Sequence, residues 1–186
     1  MARPACGSTA WQRRRAVTTA IYPGTFDPAH NGHLDVILRA HMVFGRVIVA
    51  VARVTAKETL FSVEERTAML QEATRGLGGV EVRPYSGLTV AFAQAAGATV
   101  IVKGLRGQED FEYERRQMLM NRHLSGLDTV FLMPSPIYAL LSSTLIREVN
   151  SLGGDVTAFV PPPVAERLAE RRRKASPPRG RRRGAR

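Results

Sequence analysis

The stretch that decides the fold is Tyr22-Pro23-Gly24-Thr25-Phe26-Asp27-Pro28-Ala29-His30-Asn31-Gly32-His33. Upstream, Ala16 to Tyr22 reads as a β-strand, and Pro23-Gly24 is the turn signal that ends it. Downstream, Gly32 to Phe44 reads as a helix with Leu34, Ile37, Leu38 and His41 on one face. In open α/β sheets, ligands sit beyond the carboxyl ends of the strands, where this turn falls. Gly24 has no Cβ and permits close backbone approach. Asn31 and Gly32 open a helix whose unpaired N–H groups and dipole attract an anion. His33 falls in the first turn of that helix, facing the same point.

The alternation continues along the chain. Val47 to Ala52 is almost wholly apolar, as a strand covered on both faces must be. Ser62-Val63-Glu64-Glu65 is a capping-box signal for a helix running to about Arg75. Val80 to Arg83, Thr99 to Lys103 and Thr129 to Met133 are further strands, stopped by Pro84, Gly104 and Pro134. Thr89 to Ala96, Glu109 to Leu124 and Ser143 to Leu152 read as helices. Pro161-Pro162-Pro163 opens a last helix of roughly ten residues. No internal repeat is present. The expected fold is α/β: a single Rossmann-like doubly wound domain, with a five-stranded parallel sheet and helices on both faces.

Length and composition agree with one globular domain. The chain has 186 residues, 44% of them hydrophobic, and its longest apolar runs are far too short to span a bilayer. No apolar segment follows the N-terminal arginines, which excludes a secretory signal there. Cys6 is the single cysteine and has no internal partner, which suits a reducing, cytoplasmic compartment. The formal charge of +11 is unevenly placed. Residues 1–16 contribute four arginines, residues 171–186 nine basic side chains and no acid, and the stretch between is slightly acidic. Residues 17–170 are therefore expected to form the domain, flanked by disordered basic ends at 1–16 and 171–186. Such ends bind nucleic acid only nonspecifically, so neither a dedicated nucleic-acid partner nor a membrane partner is expected.

Four groups of residues carry chemistry. His30-Asn31-Gly32-His33 is an HxGH signature, the mark of nucleotidyl-transferring α/β enzymes, with His33 directed at a bound triphosphate. No third ligand accompanies the two histidines, so no protein-held metal site is expected. Leu141-Ser142-Ser143-Thr144-Leu145-Ile146-Arg147 places two hydroxyls before a helix, where they can cap N–H groups, bind phosphate oxygens, or both. Lys103-Gly104-Leu105-Arg106 sets two cations at the end of a buried strand, suitably for phosphates. Glu114 and Asn121, seven residues apart, share a helix face that is either a ribose or adenine contact or simply solvated. Lys57, after the second strand, is uninformative alone.

Together these stretches resemble the bacterial phosphopantetheine adenylyltransferases, from about Val17 to Leu168. The likeness rests on YPGTFDP, the NGH turn, FSVEER at Phe61 to Arg66, KGLR, DFEYE at Asp110 to Glu114, MNRHL at Met120 to Leu124, and LSST. It implies a homohexamer that makes dephospho-coenzyme A and pyrophosphate from ATP and 4′-phosphopantetheine, with Mg2+ accompanying ATP and coenzyme A as a feedback inhibitor. By position it implies an ATP site of Thr25, Phe26, His33, Gly104, Leu105, Arg106 and Glu114, completed by Tyr138, Ala139, Leu140, Leu141, Ser142, Ser143 and Thr144. Thr25, Lys57, Thr89 and Lys103 would face the acceptor. His33, Lys57 and Arg106 would be catalytic, His33 at the α-phosphate and the two cations on acceptor and leaving group. The acceptor phosphate is already a dianion at neutral pH, so direct in-line attack needs neither a general base nor a covalent intermediate. This chain departs from many relatives at His30, where Thr is common, and at Lys103, where Arg supplies a bidentate fork. Thr89 and Tyr138 occupy positions that vary among relatives. The same chemistry on nicotinate mononucleotide or glycerol phosphate is the nearest alternative.

Overall fold

The structure, a computed structural model, describes residues 18–54 and 58–175. Five strands form one parallel sheet: β1 (Thr18–Gly24), β2 (Gly45–Ala52), β3 (Val80–Tyr85), β4 (Val100–Gly104) and β5 (Asp128–Leu132). Their order is β3-β2-β1-β4-β5. The connections are α1 (Asn31–Phe44), α2 (Val63–Ala73), α3 (Thr89–Ala95) and α4 (Gln108–Ser125). After β5 come α5 (Ser143–Ser151) and α6 (Pro162–Ala175), with 3-10 turns at Pro136–Tyr138 and Thr157–Phe159. This is the expected five-stranded parallel α/β sheet. Its order reverses between β1 and β4, so those two strand ends frame the crevice where such sheets bind ligands.

Alternating side chains divide the core into two layers. Ala20, Tyr22, Val47, Val49, Val51, Val100 and Val102 pack with Val36 and Ile37 of α1, Leu70 of α2, Ile146 of α5, and Val164 and Leu168 of α6. On the other face, Ile21, Ala50 and Ile101 meet Val90 and Ala93 of α3. The register sets Ala20 against Val47 on one side and Val100 on the other, a row of buried small and β-branched residues.

Three features differ from the sequence reading. First, the buried stripe of α1 is Gly32, Val36, Ile37 and Ala40, while Leu38 is exposed. Apolar residues surround this helix, and the small ones decide which face docks. A Cβ on Gly104 would lie 3.2 Å from Val36, so helix and strand pack closely there. Second, β1 extends to Gly24, including the Pro23-Gly24 pair taken as the turn; residues 16 and 17 of the expected strand lie outside the described residues. Third, α6 continues to Ala175, past the expected start of the basic tail. Arg171 explains the extension, since its Nη2 donates to both carboxylate oxygens of Glu65 at 3.0 and 2.8 Å and its guanidinium lies 5.4 Å from the Phe61 ring centroid. The basic ends at 1–17 and 176–186 lie outside the described residues.

The expected capping box is present at the start of α2. Glu65 N–H donates to Ser62 Oγ at 3.1 Å, and Ser62 N–H donates to Glu65 Oε2 at 2.8 Å. In urea titrations Ser62→Ala is expected to lose about 1 kcal/mol of stability. Ile48→Ala, which hollows the fully buried centre of β2, should lose about 2–5 kcal/mol. Equal losses would contradict this division between cap and core.

Candidate active site

The turn after β1 is held by buried ionic groups. Asp27 is 2% exposed, and its carboxylate accepts the N–H groups of Leu60 (2.8 Å) and Phe61 (2.9 Å). Arg147 of α5 donates to the same carboxylate and to the Asp27 carbonyl. Beside it, Ser143 Oγ donates to the Pro28 carbonyl at 2.8 Å. Thus α5, some 115 residues along the chain, is fastened directly to the turn. Phe26 adopts a φ of 51°, a left-handed conformation that a bulky residue enters only under constraint. Its ring covers Gly24, where a Cβ would come within 2.8 Å of the ring. Glycine there makes room for Phe26, a packing reason beyond the phosphate approach expected from sequence.

The two histidines stack with ring centroids 3.7 Å apart, and Phe26 meets His33 edge-on at 5.0 Å. The backbone N–H of His30 donates to Nδ1 of His33 at 3.2 Å. With Nδ1 an acceptor, the proton of the neutral ring belongs on Nε2, which becomes the hydrogen-bond donor at the cleft. Neutrality is enforced twice over. Burial, then His30, then the Arg106 charge push the His33 pKa well below its ordinary value. Burial and Arg106 likewise push His30 down to about 4.

A cleft of about 380 Å3 opens beyond the ends of β1 and β4. Two helix starts line it. In α5 the Leu145 N–H is taken by Ser142 Oγ and the Ile146 N–H by the Ser142 carbonyl. The Ser143 and Thr144 N–H groups are left as donors, as are those of Asn31 and Gly32 in α1. Ser142 is therefore the cap. Ser143, whose one hydroxyl proton goes to Pro28, offers an anion its backbone N–H rather than its side chain. Arg106 donates to Asp110 through Nε (2.8 Å) and Nη2 (3.1 Å), and to the Leu141 carbonyl through Nη1 (2.8 Å). Its charge is thereby fixed at the cleft between α4 and the start of α5. Lys103 Nζ sits 2.9 Å from Glu114 Oε2 and donates to Gln117 Oε1 at 3.2 Å.

This arrangement of a turn, a neutral histidine donor and two helix starts fits a bound polyphosphate, and comparison with known proteins agrees. The family model of cytidylyltransferase-like proteins matches residues 21–149. A phosphopantetheine adenylyltransferase of Moorella thermoacetica is 51% identical over 153 residues, covering 82% of this chain and 96% of the relative. One from Thioalkalivibrio sulfidiphilus is 48% identical with the same coverage. The chain belongs to the phosphopantetheine adenylyltransferase family. A crystal structure of a candidate nicotinate-nucleotide adenylyltransferase from Vibrio parahaemolyticus superposes with a TM-score of 0.59 at 18% identity, covering 82% of this chain and 98% of that one, a likeness of fold.

Of the site residues expected from the family pattern, the cleft gathers Thr25, Phe26, His33, Lys103, Gly104, Arg106, Glu114, Tyr138, Ser142, Ser143 and Thr144. Leu105, Ala139, Leu140 and Leu141 do not line it. Leu141 is buried and contributes its carbonyl to Arg106, while Leu140 is 88% exposed. Thr89 also lies off the cleft, its hydroxyl paired with Tyr85 at 2.9 Å. Lys57 falls outside the described residues. Asn121 is not among the lining residues, and Gln117, one turn after Glu114, takes the place proposed for it. Sequence reasoning passed over Tyr22, Asp110 and Gln117 as lining residues. It also assigned no role to Asp27, Arg66 or Arg147, although an acid and two arginines inside otherwise apolar-flanked motifs were the available signal.

Because both histidines are held neutral, the unfolded chain binds more protons than the folded one once pH falls below the ordinary histidine pKa. Stability is therefore full above about pH 6.5 and is lost on acidification, by about 1.4 kcal/mol per pH unit per histidine. For His30 the loss continues down to about pH 4. Thermal unfolding between pH 7.5 and 5 should show this slope, and His30→Asn should make it shallower. An unchanged slope would mean His30 is not the buried neutral group described.

Proposed function

We propose that this protein transfers the adenylyl group of ATP to 4′-phosphopantetheine, releasing pyrophosphate and forming dephospho-coenzyme A. The observation that carries the reading is a neutral His33, with Nε2 as donor, beside the start of α5 in one cleft. About half of the 153 aligned positions are also identical to relatives bearing that activity in their names.

The ATP triphosphate lies across the two helix starts, with the Ser143, Thr144 and Gly32 N–H groups on its oxygens. Arg106 adds a fixed positive charge, since two of its five donors remain after Asp110 and Leu141 are served. The acceptor phosphate enters as a dianion on the side of Thr25 and Lys103, and attacks the α-phosphorus in line. The forming P–O bond lies opposite the breaking bond to pyrophosphate, and no proton need be removed. His33 donates from Nε2 to the α-phosphoryl oxygen as negative charge accumulates there. A neutral donor already fixed in orientation stabilises that charge without reorganising. With Nδ1 held by the His30 N–H, the ring is not built to act as a base.

Among the described residues no cluster of three or more His, Cys, Asp or Glu could cage a metal. The two cleft carboxylates, Asp110 and Glu114, are each paired with a cation. Mg2+ arriving with ATP would be held chiefly by the phosphates and water, and the cleft carboxylates Asp110 and Glu114 could accept hydrogen bonds from its waters. The ion would neutralise charge on the departing pyrophosphate.

Coenzyme A, which contains both the acceptor arm and the transferred nucleotide, is expected to compete in the same cleft. Homohexamer assembly is supported by α4, which exposes Tyr113, Leu119, Met120 and Leu124, and by Met133 after edge strand β5. No helix among the described residues is long and apolar enough to cross a membrane; the single cysteine and the ATP requirement support a cytoplasmic setting.

Incubated with ATP and Mg2+ against a panel of phosphate acceptors, the protein should release pyrophosphate with 4′-phosphopantetheine and not with nicotinate mononucleotide or glycerol phosphate. Transfer only to another acceptor would overturn the reading. His33→Ala should lower turnover by roughly 100- to 1000-fold, the loss typical of one preorganised donor. Near-normal turnover would remove His33 from the mechanism.

A further inference from the structure

Arg66 is a charged residue with no exposed function, and 2% of it reaches the surface. It belongs to α2 and does not itself line the cleft, although Thr25, to which it is bonded, does. Its guanidinium is spent on backbone: Nη1 donates to the carbonyls of Thr25 (2.6 Å) and Ala52 (3.0 Å), and Nε to that of Phe61 (3.1 Å). Those carbonyls belong to three segments. Thr25 precedes the left-handed Phe26 in the turn. Ala52 ends β2. Phe61 immediately precedes the cap of α2 and also gives its N–H to Asp27.

A buried guanidinium costs several kcal/mol of desolvation unless it is well bonded. An apolar side chain here would leave the carbonyls of Thr25, Ala52 and Phe61 without this donor. What an arginine offers is a rigid planar fork that fixes the mutual position of several acceptors, which a lysine ammonium does not. The fixed position propagates. Holding the Thr25 carbonyl fixes the peptide plane that leads into Phe26, and the Phe26 ring abuts His33 edge-on.

We infer that Arg66 is a positioning residue for adenylyl transfer, acting through the Thr25 carbonyl and the Phe26 ring to aim His33. It touches neither substrate. Its effect falls on the step in which His33 donates, so it appears in turnover more than in ATP binding, which rests on the helix starts of α1 and α5.

The inference rests on the adenylyl-transfer reading, and the experiment separates the two. The parent chain is assayed first with ATP, Mg2+ and 4′-phosphopantetheine; an inactive parent sinks the reading itself. With an active parent, Arg66→Lys is assayed well below its melting temperature. Its kcat should fall about 10- to 100-fold, as expected for a small misplacement of a reacting group. Its KM for ATP should change by less than about threefold, since the donors that hold the triphosphate are untouched. A variant that melts earlier but keeps the parent kcat would make Arg66 merely structural and overturn the inference. If Arg66→Lys does not fold, Phe26→Leu tests the same path with the Arg66 bonds intact. It should lose kcat by a similar factor, and a Phe26→Leu enzyme with parental kcat would overturn the inference equally.

Discussion

A single buried carboxylate holds the working end of this molecule together. Asp27 sits under the turn after β1, with both oxygens occupied by backbone N–H groups of Leu60 and Phe61 and by Arg147. An ionised group so far from water survives only when its lone pairs are fully engaged. The partners that engage them come from two other segments of the chain, the 60–61 stretch and α5. Arg147 brings α5 to the turn, and the 60–61 segment brings the start of α2. Arg66 and Ser143 complete the frame from either side. Residues separated by more than a hundred positions thereby meet around one cleft.

The chemistry follows from what that frame leaves unsatisfied. Two helix starts keep N–H groups unpaired at the reversal point of the strand order, where an anion can take them. His33 is neutral because it is buried beside another histidine and an arginine, and its free donor is chosen by the bond its other nitrogen makes. Catalysis by placement and by preformed dipoles suits a reaction whose nucleophile is already ionised.

Much of this was legible in the sequence. The strand–turn–helix order, the Ser62 capping box and the five parallel strands are local signals, and each was found. The HxGH and LSST stretches, each ambiguous alone, pointed to one site because they occur together in one family pattern. The buried face of α1 was misread because Gly32 and Ala40, which let the helix approach the sheet, carry little hydrophobic signal, whereas exposed Leu38 carries much. The packing contacts of Ser143 and Gly24 went unread for a related reason. Their partners, the Pro28 carbonyl and the Phe26 ring, come from packing that no spacing rule encodes. Arg66 and Asp27 stayed silent because a buried charge looks like a surface charge until its partners are known.

The most direct test follows the imidazole nitrogens of His33 and the amides of Ser143 and Thr144 by NMR as a nonhydrolysable ATP analogue is added at neutral pH. The account predicts a neutral ring protonated on Nε2 before addition, then concerted shifts of Nε2 and both amides at one nucleotide concentration. A ring protonated on Nδ1, or amides of α5 that ignore the nucleotide while His33 responds, would contradict it.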